Sequence, residues 1–452
     1  MKLKCSKLFD KITSFENKVN NLSDIIIHGH VLSVNGFVLE VIGLKAPIGA
    51  ECFIEKIIDG KVLNISAQVV KFNKEKTLLF SFQETYGILP GAKVFLKVFK
   101  NSDIFVKKVP LGKSLLGRVL NSKGQALDGL PELDPQCFTT IKKNYINPLN
   151  RKPINEILDT GIRAINGLIT IGRGQRIGIF SSSGVGKSIL LGMMAKYTQA
   201  DIVVIGLIGE RGREVKEFIE NTLGSDGLSK SVVIAAPADI SPLLQIEAAS
   251  YATSIAEYFR DKDKNVLLIM DSLTRYAMAQ RVVSLALGEL PVARGYPSSV
   301  FSNIPMLVER SGNTDRKGSI TAFYTVLTEN DEDQDPISQI CRSVLDGHIV
   351  LSRYYADIGH YPAIDIESSI SRVMPEIITK EQYLKACYFK KLVAAYQRNK
   401  DLINIGAYVK GNDLILDDAI KKWKILEKFL QQKPSEKSSY AFSCDKLNKI
   451  FI

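Results

Sequence analysis

The stretch Ser181-Ser182-Ser183-Gly184-Val185-Gly186-Lys187-Ser188 constrains what this chain can fold into more than any other. Before it, Gln175-Arg176-Ile177-Gly178-Ile179-Phe180 reads as a short buried strand. After it, Ile189, Leu190, Met193, Met194 and Tyr197 recur at helical spacing and predict a helix with one buried face. A strand, a glycine-rich turn and a helix opening on Gly-Lys-Ser form the context of a phosphate-binding P-loop. Gly184 and Gly186 lack side chains, so the backbone can close around a phosphate. Their N–H groups and the helix N-terminus then cradle its negative charge. Lys187 is placed to reach the β- and γ-phosphates, and Ser188 offers a hydroxyl to Mg²⁺. Ser181 stands where the pattern G-x-x-x-x-G-K-[ST] has glycine, and serine does not favour positive φ as glycine does. The bland alternative is a plain glycine turn between strand and helix.

At 452 residues the chain is long enough for two or three domains. No run of 18 or more apolar residues suggests a transmembrane helix, and the basic N-terminus lacks the apolar core of a signal peptide. The six cysteines are scattered without a C-x-x-C pair, which argues against a zinc site or a disulfide framework and fits a reducing cytoplasm. A net charge of +11 admits nucleic acid or anionic lipid as partners. No dense basic block stands out, so a lysine-rich surface is the preferred reading and no nucleic acid is expected. His28-Gly29-His30 lacks an evident third ligand and is read as strand.

Four segments follow from patterning. Residues 1–22 carry Leu8, Ile12, Phe15, Val19 and Leu22 at helical spacing, which predicts an amphipathic helix. Residues 23–98 hold short β-rich runs, punctuated by Gly, Asn, Asp and Pro, that predict a small barrel or sandwich. Residues 99–375 form an α/β domain with a mostly parallel sheet, of which 99–150 is a connector. Its strands are expected at Ile202–Ile208, Ser231–Ala235, Asn265–Met270, Ile320–Leu327 and His348–Leu351, with a helix over Pro242–Arg260. Residues 376–452 read as helices, with the tail after Pro434 less ordered until Phe442.

Two carboxylates carry the expected chemistry. Asp271 ends an apolar strand of the kind that lies beside a P-loop, where it can hold Mg²⁺ through water. Glu210 follows the strand from Ile202, at the crevice where ligands bind in such sheets. It is placed to polarise a water for attack on a γ-phosphate. The alternative is a solvated loop with Glu210 paired to Arg211 or Arg213.

The stretches Gly209-Glu210-Arg211-Gly212-Arg213-Glu214-Val215, Arg294-Gly295-Tyr296-Pro297 and 362–372 resemble the α/β-subunit family of rotary ATPases. The last one, Pro362-Ala363-Ile364-Asp365-Ile366-Glu367-Ser368-Ser369-Ile370-Ser371-Arg372, matches the signature P-[SAP]-[LIV]-[DNH]-x-x-x-S-x-S. Within that family, the runs 158–167, 183–188 and 406–411 resemble the type III export ATPases of flagella, with those of injectisomes close behind. Members usually have Ala or Gly at the position of Ser181. The resemblance implies an N-terminal β-barrel, a P-loop ATPase core and a C-terminal helical domain, with ATP and Mg²⁺ bound. It implies that Lys187 and Ser188 are phosphate and Mg²⁺ ligands and that Glu210 is the catalytic glutamate, followed by Arg211 as in catalytic subunits. Tyr361 corresponds to a tyrosine stacked on adenine, and Arg372 to an arginine finger donated in trans. One chain then carries both halves of a shared site, so a ring of identical subunits, a hexamer, is implied. So are several partners: a stator-like regulator at the N-terminus, a coiled-coil stalk, an export gate and chaperone–substrate complexes. The implied location is the cytoplasmic side of the inner membrane. Other readings are a hexameric RNA translocase, a non-enzymatic ring subunit and the catalytic subunit of a true synthase.

Overall fold

The computed structural model describes residues 28–96, 108–141, 146–328 and 335–451. The amphipathic stretch 1–22 and the run Ile25-Ile26-Ile27 lie outside these residues. Two compact units part between Lys107 and Lys108.

In the first unit, alternation of apolar and polar residues closes a sheet on itself. Strands β1 (His28–Asn35), β2 (Val38–Ile42), β3 (Glu51–Ile58), β4 (Lys61–Asn73), β5 (Lys76–Ser81) and β6 (Lys93–Leu96) form a closed barrel in the order β1-β2-β5-β4-β3-β6. Closure removes the sheet edges. The inward residues Leu39, Val41, Ile54, Ile65, Val69, Leu79 and Val94 fill the interior. Gly29 is required by close approach, because a Cβ there would lie 2.8 Å from both the Ile42 carbonyl and Val41. His28 and His30 are thus strand residues, with their rings edge to face at 5.0 Å.

The second unit is built on a larger sheet. Its main strands are β7 (Val119–Leu120), β8 (Arg176–Ser181), β9 (Ile202–Ile208), β10 (Ser231–Ala236), β11 (Asn265–Asp271), β12 (Ser319–Leu327), β13 (Gly347–Leu351) and β14 (Ile364–Ser371). The order is β14-β13-β8-β12-β11-β9-β10-β7. From β13 to β7 the neighbours run parallel; β14 is antiparallel to β13, and a short strand Gly312–Asn313 is antiparallel to β12. β7 lies inside the segment read as a connector. At two residues it is too short to show periodicity.

The strands are apolar on both faces because both faces are covered. Ile177, Ile179, Val203, Ile205, Leu267, Ile269 and Phe323 face one core. They share it with α1 (Lys187–Tyr197) and, further along the chain, with the helices that follow Thr379. Val204, Leu268, Met270 and Tyr324 face the other core, against α2 (Pro242–Arg260), α3 (Leu273–Ala286) and α4 (Pro336–Val344). Helix α1 is turned relative to expectation. Leu190, Leu191, Met193 and Met194 are buried, whereas Ile189 is 47% exposed. The cause is a second packing partner: the helical turn Phe218–Leu223 presses on α1 so closely that a Cβ at Gly192 would lie 2.1 Å from Thr222. That leaves the first turn of α1 free beside the P-loop.

The C-terminal helices are α5 (Lys380–Arg398), α6 (Leu414–Leu430) and α7 (Tyr440–Ile450). The tail after Pro434 is tied down, contrary to expectation. Ser438 N donates to Gly161 O, Tyr440 N donates to Asp159, and Arg163 pairs with Glu436. The buried Gln432 amide accepts from Arg163 N at 2.7 Å and donates to the carbonyls of Gly161 and Glu436. The run Asp159-Thr160-Gly161 therefore anchors the C-terminal segment to the core. No helix among the described residues is long and apolar enough to cross a membrane.

Candidate active site

The P-loop leaves the C-terminal end of β8 and enters α1. Gly184 and Gly186 have φ of 82° and 86°, a left-handed conformation that a side chain disfavours. Gly186 is also crowded, since a Cβ there would lie 3.1 Å from the Tyr361 ring. Ser181 is the last residue of β8 and extended, so its position does not call for glycine, and its buried Oγ has no hydrogen-bond partner among the described residues. Ser182 and Val185 are partly or fully buried, whereas Ser183 and Ser188 are exposed.

Sheet order brings three charges together. β11 and β9 are neighbours, with Leu207 opposite Asp271, so Asp271 and the loop carrying Glu210 emerge side by side. Lys187 Nζ lies 2.6 Å from Asp271 Oδ1 and 3.4 Å from Glu210 Oε1. Thr325 on β12 donates its hydroxyl to Asp271 at 2.6 Å. Burial works against the Lys187 ammonium, but Asp271 and Glu210 outweigh it and hold its pKa above the ordinary lysine value. Glu210 responds the other way. Burial first, then the Asp271 carboxylate, push it up to about 7 against the pull of Lys187. Arg275 on α3 packs under Gly209, and its buried Nε has no hydrogen-bond partner among the described residues. These are oxygen donors and cations around a phosphate cradle. The Ser188 hydroxyl and the Asp271 carboxylate suit a hard cation such as Mg²⁺.

Beside the loop is an apolar cleft of about 140 Å³. It is lined by Val185, Gly186, Ile189, Met193, Tyr361 and Pro362. Tyr361 is 43% exposed along it, and its carbonyl accepts from Gln432 N. Polar groups in the loop and an apolar slot next to it are what a nucleoside phosphate requires.

The stretch 362–372 is strand β14, and its hydrogen bonds explain its pattern. His348 pairs with Ile370 but Val350 with Asp365, so β14 carries a wide bulge. The Asp365 carboxylate caps the bulge by accepting from the N–H groups of Glu367 and Ser368. Ser369 Oγ accepts from Val350 N at 2.9 Å and donates to Asp365 O. Ser371 Oγ lies 3.0 Å from Gln175 Nε2, at the foot of the P-loop strand. Asp365 and Ser369 thus hold the backbone of the bulge, and Ser371 holds the Gln175 side chain. Arg372 follows immediately; it is exposed and donates to Arg342 O at 3.0 Å. Its place is decisive. Ser371 pairs with Gly347, which pairs with Ile177, whereas the P-loop begins after Ser181. Four residues of strand, about 13 Å, separate Arg372 from its own P-loop, at the other end of the sheet.

The nucleotide-binding domain of the ATP synthase alpha/beta family matches residues 161–371, and the C-terminal domain of the type III secretion ATPase EscN matches 378–449. A flagellum-specific ATP synthase of Buchnera aphidicola subsp. Schizaphis graminum is 75% identical over 453 residues, covering 100% of this chain and 97% of that one. The chain belongs to the ATP synthase alpha/beta family. The Salmonella typhimurium flagellum-specific ATP synthase is 53% identical, covering 100% of this chain and 99% of its own. The assembled ATPase EscN of the enteropathogenic E. coli type III secretion system superposes with a TM-score of 0.85 at 42% identity, over 94% of this chain and 100% of EscN. In its complex with the central stalk EscO, EscN matches with a TM-score of 0.84.

For a member of this family, the site gathers most of the residues read from sequence. Lys187, Glu210 and Asp271 converge, Ser188 follows Lys187 along the loop, and Tyr361 borders it. Arg211 is not brought in: its side chain is 83% exposed and pairs with Glu214 at 3.6 Å. Thr325 and Arg275 escaped the sequence reading. Nothing local marks them, and only the adjacency of β11, β12 and α3 places them at the site.

Proposed function

We propose that this chain is an ATP hydrolase energising the export of flagellar proteins through a type III secretion apparatus, working in a ring, a hexamer, whose sites are completed by neighbouring copies. The observation that carries this reading is the location of Arg372, at the far end of the sheet from the P-loop of its own chain. A finger so placed serves only a site on another copy. The names of the flagellar relatives and the assembled state of EscN support the same reading.

The loop 181–188 holds the phosphates and the cleft at Tyr361 takes the base. Lys187 exchanges its carboxylate partners for the β- and γ-phosphates. Mg²⁺, when bound, neutralises charge on the phosphate oxygens; Ser188, and Asp271 through water, are the residues that would hold it. Glu210 accepts the proton of the attacking water as its oxygen bonds to the γ-phosphorus and the bond to the bridging oxygen breaks. A carboxyl with a pKa near the working pH suits a general base. Arg372 of the adjacent copy stabilises charge on the transferring group, an effect of roughly 10³–10⁵ in rate for such fingers. Arg211, exposed beside Glu210 and paired with Glu214, is available to meet an adjoining copy. A stalk in the ring centre, a stator-like regulator at residues 1–22, an export gate and chaperone–substrate complexes are the proposed partners. The proposed location is the cytoplasmic face of the inner membrane.

Mixing two dead variants tests the shared site. Arg372→Ala keeps Glu210, and Glu210→Gln keeps the finger, so mixed rings rebuild complete sites and regain ATPase activity. No recovery under proven subunit exchange counts against the reading.

A further inference from the structure

The bulge of β14 is held from outside the sheet by a cation that the nucleotide site does not use. Lys390 lies on α5 and donates from Nζ to Ser369 O at 2.8 Å. A lysine normally keeps its ammonium in water and buries only its stem. Here burial pushes the ammonium below the ordinary lysine range, against the opposing pull of Cys387 and Asp365. The charge is therefore held inside at a cost, on a carbonyl three residues before Arg372. The same residue, Ser369, is fixed to β13 through its hydroxyl and Val350 N. The bulge thus has one anchor in the sheet and one on the C-terminal helix α5, and Arg372 leaves the strand directly after it.

We propose that Lys390 is a positioning residue for Arg372, clamping the bulge to α5 and so fixing where the guanidinium emerges toward the neighbouring copy. This rests on the reading of Arg372 as a residue donated in trans. It makes α5 the physical link between the C-terminal helices and the finger strand. A displacement of about 1 Å at a reacting centre can cost about a hundredfold in rate, so a loosened bulge acts on turnover rather than on ATP binding.

The test uses full-length protein under ring-forming conditions. Lys390→Met keeps the apolar stem and loses the donor. It is expected to lower kcat about ten- to a hundredfold with the KM for ATP unchanged, and Lys390→Arg, which can still donate, restores most of it. If Lys390→Met does not fold, Lys390→Ala, which also loses the donor, is read in the same way. Mixed rings separate positioning from a general structural role. Lys390→Met subunits regain activity with Glu210→Gln subunits, which supply an intact finger, but not with Arg372→Ala subunits, which supply none. Wild-type kcat in Lys390→Met beside an inactive Arg372→Ala overturns the role of Lys390, as does a loss that Glu210→Gln fails to complement. Full turnover by Arg372→Ala itself overturns the trans reading instead.

Discussion

Glu210 feels opposing influences on one carboxyl: burial, Asp271 and Glu214 raise its pKa, and Lys187 opposes them. As a general base it works only when ionised. The kcat/KM of ATP hydrolysis is therefore expected to rise with pH along a limb centred near 7, and Glu210→Gln to abolish that limb while lowering kcat about 10²–10⁴-fold. Near-normal turnover by the variant contradicts the role. Stability carries the opposite sign. The folded carboxyl holds its proton up to about 7, well above the ordinary glutamate value of 4.5, so its ionisation costs folded-state stability as pH rises through that window. Glu210→Gln removes the cost, and its melting temperature relative to wild type is expected to climb from pH 5 to pH 8. Tyr361→Ala is expected to weaken ATP binding about tenfold, since stacking on a base contributes roughly 1–3 kcal/mol; Tyr361→Phe retains it. At this scale the sequence was legible wherever chemistry is local. Gly184, Gly186, Lys187 and Ser188 follow one another along one turn. Thr325 lies 54 positions from the Asp271 it supports, and no spacing rule joins them.

Elements were legible in proportion to their regularity. The strands apolar on both faces and the 19-residue helix Pro242–Arg260 stand out as runs. β14 does not, because its bulge breaks the alternation, Asp365 and Ser369 are spent on backbone hydrogen bonds, and Ser371 on the Gln175 side chain. Ile189 misled because a helix packed on two sides has no single stripe. The C-terminal segment misled because its anchors are polar. Gln432 is one of them: removing its amide leaves the buried Arg163 N–H unsatisfied and takes one of two donors from the Gly161 carbonyl. Gln432→Ala is expected to lower stability by about 1–3 kcal/mol, read as a fall in the urea midpoint. Because Gln432 N also holds the Tyr361 carbonyl, a raised KM for ATP should accompany it. An unchanged midpoint would show that the tail is not fixed through this amide.

At the scale of the molecule, the proposed reading gives the chain two half-sites that do not meet within one copy. The P-loop, Glu210 and Asp271 lie at one end of the sheet and Arg372 at the other. The fold alone does not disclose this; it follows from counting register across β8, β13 and β14, which sequence patterning cannot supply. On that reading activity depends on assembly. The most direct measurement is specific ATPase activity across a dilution series, with the oligomeric state determined at each concentration. A shared site predicts that activity falls in step with ring dissociation and that isolated subunits bind ATP yet barely hydrolyse it. Full specific activity from a proven monomer contradicts the account.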